Sequence, residues 1–154
     1  MKKFSFALAL AVVGLAVSHH ASTAADAKEA WLTDYPKAQA QAKEQKKAIL
    51  MDFTGSDWCP PCMQLKKTVL SSAEFTKFAA EKLVLVEVDF PENKKQSEAL
   101  KKANGELEKK FKVDGYPTII VVDAEGKELF RSEGYDGSSA KDYVAKLSKA
   151  LNKK

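Results

Sequence analysis

The sequence predicts an α/β fold, a central mixed β-sheet flanked by helices. Three observations carry this. Apolar runs of strand length recur at residues 48–53, 83–89 and 119–122. The segments between them space their apolar residues three and four apart, as helices do. A turn at 123–126 followed by a strand around Leu129 and Phe130 adds an antiparallel hairpin at one side. Strands alternating with helices build one sheet covered on its faces. At 154 residues, with no internal repeat and no long linker, the chain fits a single domain.

The elements follow in order. Residues 31–47 contain a helix, capped at Thr33 or Asp34, with Pro36 in its first turn. Residues 48–53 are apolar almost throughout, the pattern of a strand buried on both faces. Thr54-Gly55-Ser56-Asp57 is a turn. After Trp58-Cys59-Pro60-Pro61-Cys62, residues 63–70 read as a helix. The proline pair is expected to delay its start, because a residue before proline is pushed away from helical angles. Ser71 and Glu74 have the spacing of a capping box, opening a helix that presents Phe75, Phe78 and Ala79. Residues 83–89 form a strand. Residues 93–111 read as a helix with Leu100, Ala103, Leu107 and Phe111 on one face, interrupted by Gly105. The lysines of this segment alternate with Glu98, Glu106 and Glu108 and read as a solvated face. Ser139 caps a last helix with Tyr143, Leu147 and Leu151 inward.

The N-terminus is a separate matter. Lys2 and Lys3 precede an apolar run of 14 residues at 4–17, short of the about 20 that span a bilayer. Small residues follow at Ser22, Thr23, Ala24 and Ala25. This is the pattern of a secretory signal peptide, residues 1–24, ahead of a domain at 25–154. No cysteine near the cleavage site suggests a lipid anchor. The short apolar run and lysine-rich start are of the bacterial kind, so the periplasm is the expected destination. Cleavage would remove His19 and His20, the only histidines. Ser-His-Asp and Cys-His catalysis, and histidine zinc sites, are then excluded. The net charge is +4 for the whole chain, too mild to imply a nucleic-acid partner.

Cys59 and Cys62 are the only thiols, spaced C-x-x-C. A purely structural disulfide would close a very short loop and add little by loop closure. A soft-metal site, for Cu(I) as an example, needs more ligands than two thiolates, and only Met51 and Met63 remain outside the signal segment. A redox dithiol is the third reading, and the surroundings favour it. Cys59 lies where a strand feeds into a helix, whose unpaired N–H groups favour a thiolate. Cys62, about one turn later, is spaced to form a disulfide with it. Cys59 is thus the exposed, attacking thiol and Cys62 the thiol that resolves the mixed disulfide.

With these residues on view, the chain resembles the thioredoxin family. Trp58-Cys59-Pro60-Pro61-Cys62 matches its Trp-Cys-x-x-Cys site. Asp52-Phe53 resembles the family's buried aspartate and its neighbour, with one extra residue in the turn between. Val113-Asp114-Gly115-Tyr116-Pro117-Thr118 resembles the segment with the family's cis-proline, and Gly134 a glycine after the closing hairpin. The resemblance spans residues 48–151. It implies a thioredoxin fold and a thiol–disulfide oxidoreductase that exchanges Cys59 and Cys62 with cysteines of protein substrates, without cofactor or metal. It implies that Asp52 relays a proton to or from Cys62, and that Trp58, Tyr116 and cis-Pro117 meet the substrate, the Tyr116 backbone pairing with an extended chain. The family's lysine partner for the aspartate is not evident; the matching strand position reads as Leu85, with Glu87 nearby. Trp31 and Tyr135 read as packing residues. The expected partners are substrate proteins and a membrane or periplasmic thiol redox partner, the protein itself being a monomer. The rivals are a soft-metal binding module and a redox-inert interaction module on the same fold.

Overall fold

The computed structural model describes residues 31–152. The signal peptide read at 1–24, with His19 and His20, lies outside the described residues, as do the first residues of the 25–154 domain.

Five strands form one sheet in the order β1-β3-β2-β4-β5. In chain order the elements are β1 (Trp31–Leu32), α1 (Tyr35–Gln45), β2 (Ala48–Thr54), α2 (Pro60–Leu65), α3 (Ala73–Lys82), β3 (Leu83–Asp89), α4 (Glu98–Phe111), β4 (Thr118–Val122), β5 (Glu128–Glu133) and α5 (Ala140–Leu151). A π-helical turn, Lys66–Leu70, extends α2 without a break. Strands β1, β3 and β2 are parallel; β4 pairs antiparallel with β2 and β5 antiparallel with β4, so the sheet is mixed as expected.

The pleat sorts side chains to two cores. Ile49, Met51 and Phe53 of β2 face α1 and α4, packing with Ala38, Ala42, Leu107 and Phe111. Leu50 faces the other way, toward Leu65 and Val69 of the α2 segment, Phe75 of α3, and Tyr143 and Leu147 of α5. Asp52, two residues on from Leu50, therefore points to the α2 side of the sheet.

Several boundaries differ from expectation, each for a local reason. Strand β1 is only two residues long and has no periodicity to detect. The cap of α1 is as expected, Asp34 accepting from the Lys37 N–H at 2.9 Å. Helix α2 starts at Pro60 and is not delayed: Cys59 takes the extended backbone that a residue before proline requires, φ −97° and ψ 100°. Ser72, and not Ser71, caps α3, accepting from Phe75 N–H at 3.1 Å, which leaves Glu74 one position early for a capping box. Helix α4 starts five residues later than read, with Ser97 as its cap. On its inner face Asn104 is buried where Ala103 was expected, because its Nδ2 donates to the Asp89 carbonyl at 2.8 Å.

Candidate active site

Strand β2 ends at Thr54 and the chain turns at once. The Gly55 carbonyl accepts from the N–H groups of Trp58, at 3.3 Å, and Cys59, at 3.0 Å. That turn delivers Cys59 to the start of α2. Cys59 and Cys62 are joined as a disulfide, their Cα atoms 5.3 Å apart. Both are buried, at 4% and 3% exposure. The expected difference in exposure between the two is absent in this oxidised state. What separates them is position, Cys59 being the N-cap and Cys62 lying inside the first turn.

Beside the disulfide, Trp58 and Met63 are the exposed large apolar side chains among the described residues. The Trp58 ring lies directly on Gly55. Its Nε1–H donates to the Phe90 carbonyl at 2.7 Å. Its edge meets Tyr116, ring centroids 6.0 Å apart, and Tyr116 in turn stacks on Phe90 at 5.1 Å. The Tyr116 hydroxyl donates to a Glu108 carboxylate oxygen on α4. Burial, and then that bond, hold the hydroxyl well above the ordinary tyrosine value. The Tyr116–Pro117 peptide is cis, as the resemblance implies. The Pro117 carbonyl is taken by the Gly134 N–H at 2.7 Å.

On the sheet face that α2 covers lies Asp52, 3% exposed, its Oδ1 buried without a hydrogen-bond partner. Its carboxyl is pushed up to about 7. Burial is the largest cause; the charges of Glu87 and Asp89 add to it, and Lys66 opposes. The strand neighbour of Asp52 is Glu87, and Leu85 sits opposite Leu50 instead, which corrects the sequence assignment by two residues. The missing cation is Lys66. It lies four residues after Cys62 on the same helical face, and its Nζ is 2.5 Å from Glu87 Oε2. Sequence reading overlooked it because it comes from α2's extension and not from β3. Its spacing from Cys62 was the available signal.

A strand running straight into a C-x-x-C turn at a helix start, in this strand order, defines the thioredoxin fold, and the bonded pair makes the class a thiol–disulfide oxidoreductase. The chain belongs to the thioredoxin-like family: the profile of the thioredoxin-like domain matches residues 35–151. It is 41% identical over 117 residues to the disulfide bond reductase DsbH of Chlamydia pneumoniae, covering 76% of this chain and 70% of that protein. It is 39% identical over 101 residues to the thioredoxin-related protein DsbJ of the same organism, covering 66% of this chain but 29% of that protein. A solved structure of a DsbH oxidoreductase superposes with a TM-score of 0.75 at 35% identity, covering 90% of this chain and 96% of that one. The chain is accordingly a thiol–disulfide oxidoreductase, and its Cys59–Cys62 pair fits a C-x-x-C motif.

Proposed function

We propose that this protein is a periplasmic disulfide reductase, exported by the signal peptide at 1–24 and working as a monomer. The observation that carries the reading is the cysteine pair at the start of α2 together with the buried Asp52, whose Oδ1 has no hydrogen-bond partner, on the sheet face that α2 covers. Its similarity to a protein named as a disulfide bond reductase favours the reductive direction.

The proposed cycle begins with the pair reduced. The Cys59 thiolate attacks one sulfur of a substrate disulfide; that S–S bond breaks, and the departing substrate sulfur takes up a proton. Cys62 then gives its proton to the Asp52 carboxylate and attacks the Cys59 sulfur. The second substrate sulfur leaves, protonated from solvent. Two electrons have passed to the substrate, and the protein holds a Cys59–Cys62 disulfide. A carboxyl near neutrality both accepts a proton from a thiol and returns it to solvent. Trp58, Tyr116 and Pro117 form the surface a substrate chain meets, the Tyr116 backbone pairing with it. A thiol donor at the membrane restores the dithiol, because the compartment is oxidising.

The test is the reduction potential of the pair, by equilibration with glutathione or dithiothreitol. A value near roughly −270 mV is expected of a reductant. A value between about −120 and −180 mV would make the protein an oxidant or isomerase. A pair that does not cycle would favour soft-metal binding or a redox-inert role.

A further inference from the structure

Between β3 and α4 the chain folds back over the turn that carries Trp58. Ser56 donates from its N–H to Asp89 Oδ1 at 2.9 Å and from its hydroxyl to Asp89 Oδ2 at 2.6 Å. The Phe90 N–H donates to the Thr54 carbonyl at 2.8 Å, and the Phe90 carbonyl holds the Trp58 indole. Asp57 then takes three consecutive backbone N–H groups. Its Oδ1 accepts from Glu92 at 3.0 Å, and its Oδ2 from Asn93 at 2.8 Å and Lys94 at 2.9 Å. These bonds, that to Glu92 first, hold the Asp57 carboxyl below the ordinary carboxylate range. They tie residues 92–94, ahead of the Ser97 cap of α4, to the turn that carries Trp58.

The clamp has a consequence beside the disulfide. Phe90 lies at the start of the clamped segment, stacks on Tyr116 and anchors Trp58. Trp58 keeps 39% of its surface in solvent yet is fixed by a hydrogen bond, a ring edge and a glycine beneath it. A fixed, exposed aromatic surface contacts an apolar chain at little ordering cost. Nothing in the exchange chemistry of two thiols requires it.

We propose that Asp57 is a positioning residue for recognition of cysteine-bearing polypeptides: by clamping residues 92–94 it fixes Phe90, Tyr116 and Trp58 as one rigid wall beside Cys59. The inference rests on the reading that Cys59 attacks the substrate and that Trp58 and Tyr116 meet it. A small disulfide needs no wall, whereas a polypeptide must lie along it.

The test compares two probes on the reduced protein: insulin, a polypeptide disulfide, and dithiobis-nitrobenzoate, a small one. Asp57→Ala is expected to raise KM for insulin several-fold with kcat within about twofold, and to leave the rate with the small disulfide unchanged. Asp57→Asn keeps one carbonyl oxygen for the N–H groups of Asn93 and Lys94 but sets its amide NH2 against the Glu92 N–H, so its KM is expected to lie between those of the parent and Asp57→Ala. Equal losses in both variants would overturn the proposal, assigning the effect to lost charge near Cys59. So would equal slowing with both probes, or an unchanged KM in Asp57→Ala. Phe90→Leu reaches the same wall without touching Asp57, and should raise KM for insulin in the same way even if Asp57→Ala does not fold. In a Trp31→Phe background, both wall-breaking variants should change Trp58 emission; unchanged emission in both counts against a fixed wall. A failure of the underlying reading looks different, since the parent protein would then turn over neither probe.

Discussion

Asp52 and Glu87 stand opposite each other on the parallel strands β2 and β3, two carboxylates side by side, with Lys66 bound to the outer one at 2.5 Å. Asp52 is the buried member, and in the folded protein it holds its proton up to about 7. In the unfolded chain it ionises near the ordinary aspartate value of about 3.9. The folded state therefore binds this proton more tightly, so the contribution of Asp52 to stability is full below about pH 4 and is lost as pH rises through about 7. Asp52→Asn removes the dependence. The variant is expected to gain on the parent between about pH 4 and about pH 7 at up to about 1.4 kcal/mol per pH unit, and to hold that gain at higher pH. Urea unfolding of the oxidised protein at several pH values measures it. A gain that does not change with pH would mean Asp52 is ionised throughout.

The two neighbours of Asp52 are expected to act in opposite directions. Lys66→Gln removes a positive charge and leaves Glu87 uncompensated, so the Asp52 carboxyl should rise further. Glu87→Gln removes a negative charge and frees Lys66, so it should fall. Carboxyl carbon shifts followed by NMR across the titration read both. The pH at which Cys62 begins to resolve mixed disulfides should move with them. If both variants shift Asp52 in the same direction, the ion pair acts through packing and not through charge.

How this site could be read from the sequence depends on how local each part is. The C-x-x-C turn was legible because Trp58, Cys59, Pro60, Pro61 and Cys62 are contiguous and residues 48–53 declare a buried strand directly before them. Tyr116 and Pro117 were legible for the same reason. Glu87 was misplaced because its partnership with Asp52 depends on β2–β3 register, and the run Leu83-Val84-Leu85-Val86, apolar and buried on both faces, carries no inward–outward alternation to fix that register. Lys66 required both that register and the helix phase from Cys62. Asp57 holds backbone groups 35 to 37 residues away, a contact that periodicity cannot express. Asn104 was passed over because hydrophobic spacing has no term for a buried amide that finds a backbone carbonyl.

The two cysteines should separate by trapping. Cys62→Ser leaves Cys59 able to attack and nothing to resolve the product, so mixed disulfides are expected to accumulate with substrate proteins. Cys59→Ser should trap none. Non-reducing electrophoresis after acid quenching shows which variant carries partners. Equal trapping by both would mean that burial of the pair, nearly the same for each sulfur-bearing residue in the oxidised state, also governs attack.

Two glycines offer a matched pair of opposite sign. A Cβ at Gly55 would lie 2.5 Å from Trp58 Cε2 and 2.7 Å from both Cζ2 and Nε1. The Gly55 carbonyl accepts two N–H groups of the redox turn, so the backbone has little freedom to yield. The indole would have to swing away, giving up its bond to the Phe90 carbonyl and its edge contact with Tyr116. Gly55→Ala is therefore expected to cost about 1–3 kcal/mol, the usual range for a forced contact, and to alter Trp58 emission. Gly105 is different: it lies inside α4, and a Cβ there meets nothing within 4 Å. Gly105→Ala should stabilise by roughly 0.5–1 kcal/mol through the helix backbone alone, with emission unchanged. Thermal unfolding of the two variants, each followed by far-UV dichroism and by indole emission, checks both signs. If Gly55→Ala proves as stable as the parent and keeps its emission, the indole is free to move, and the wall beside Cys59 is not fixed by the turn beneath it.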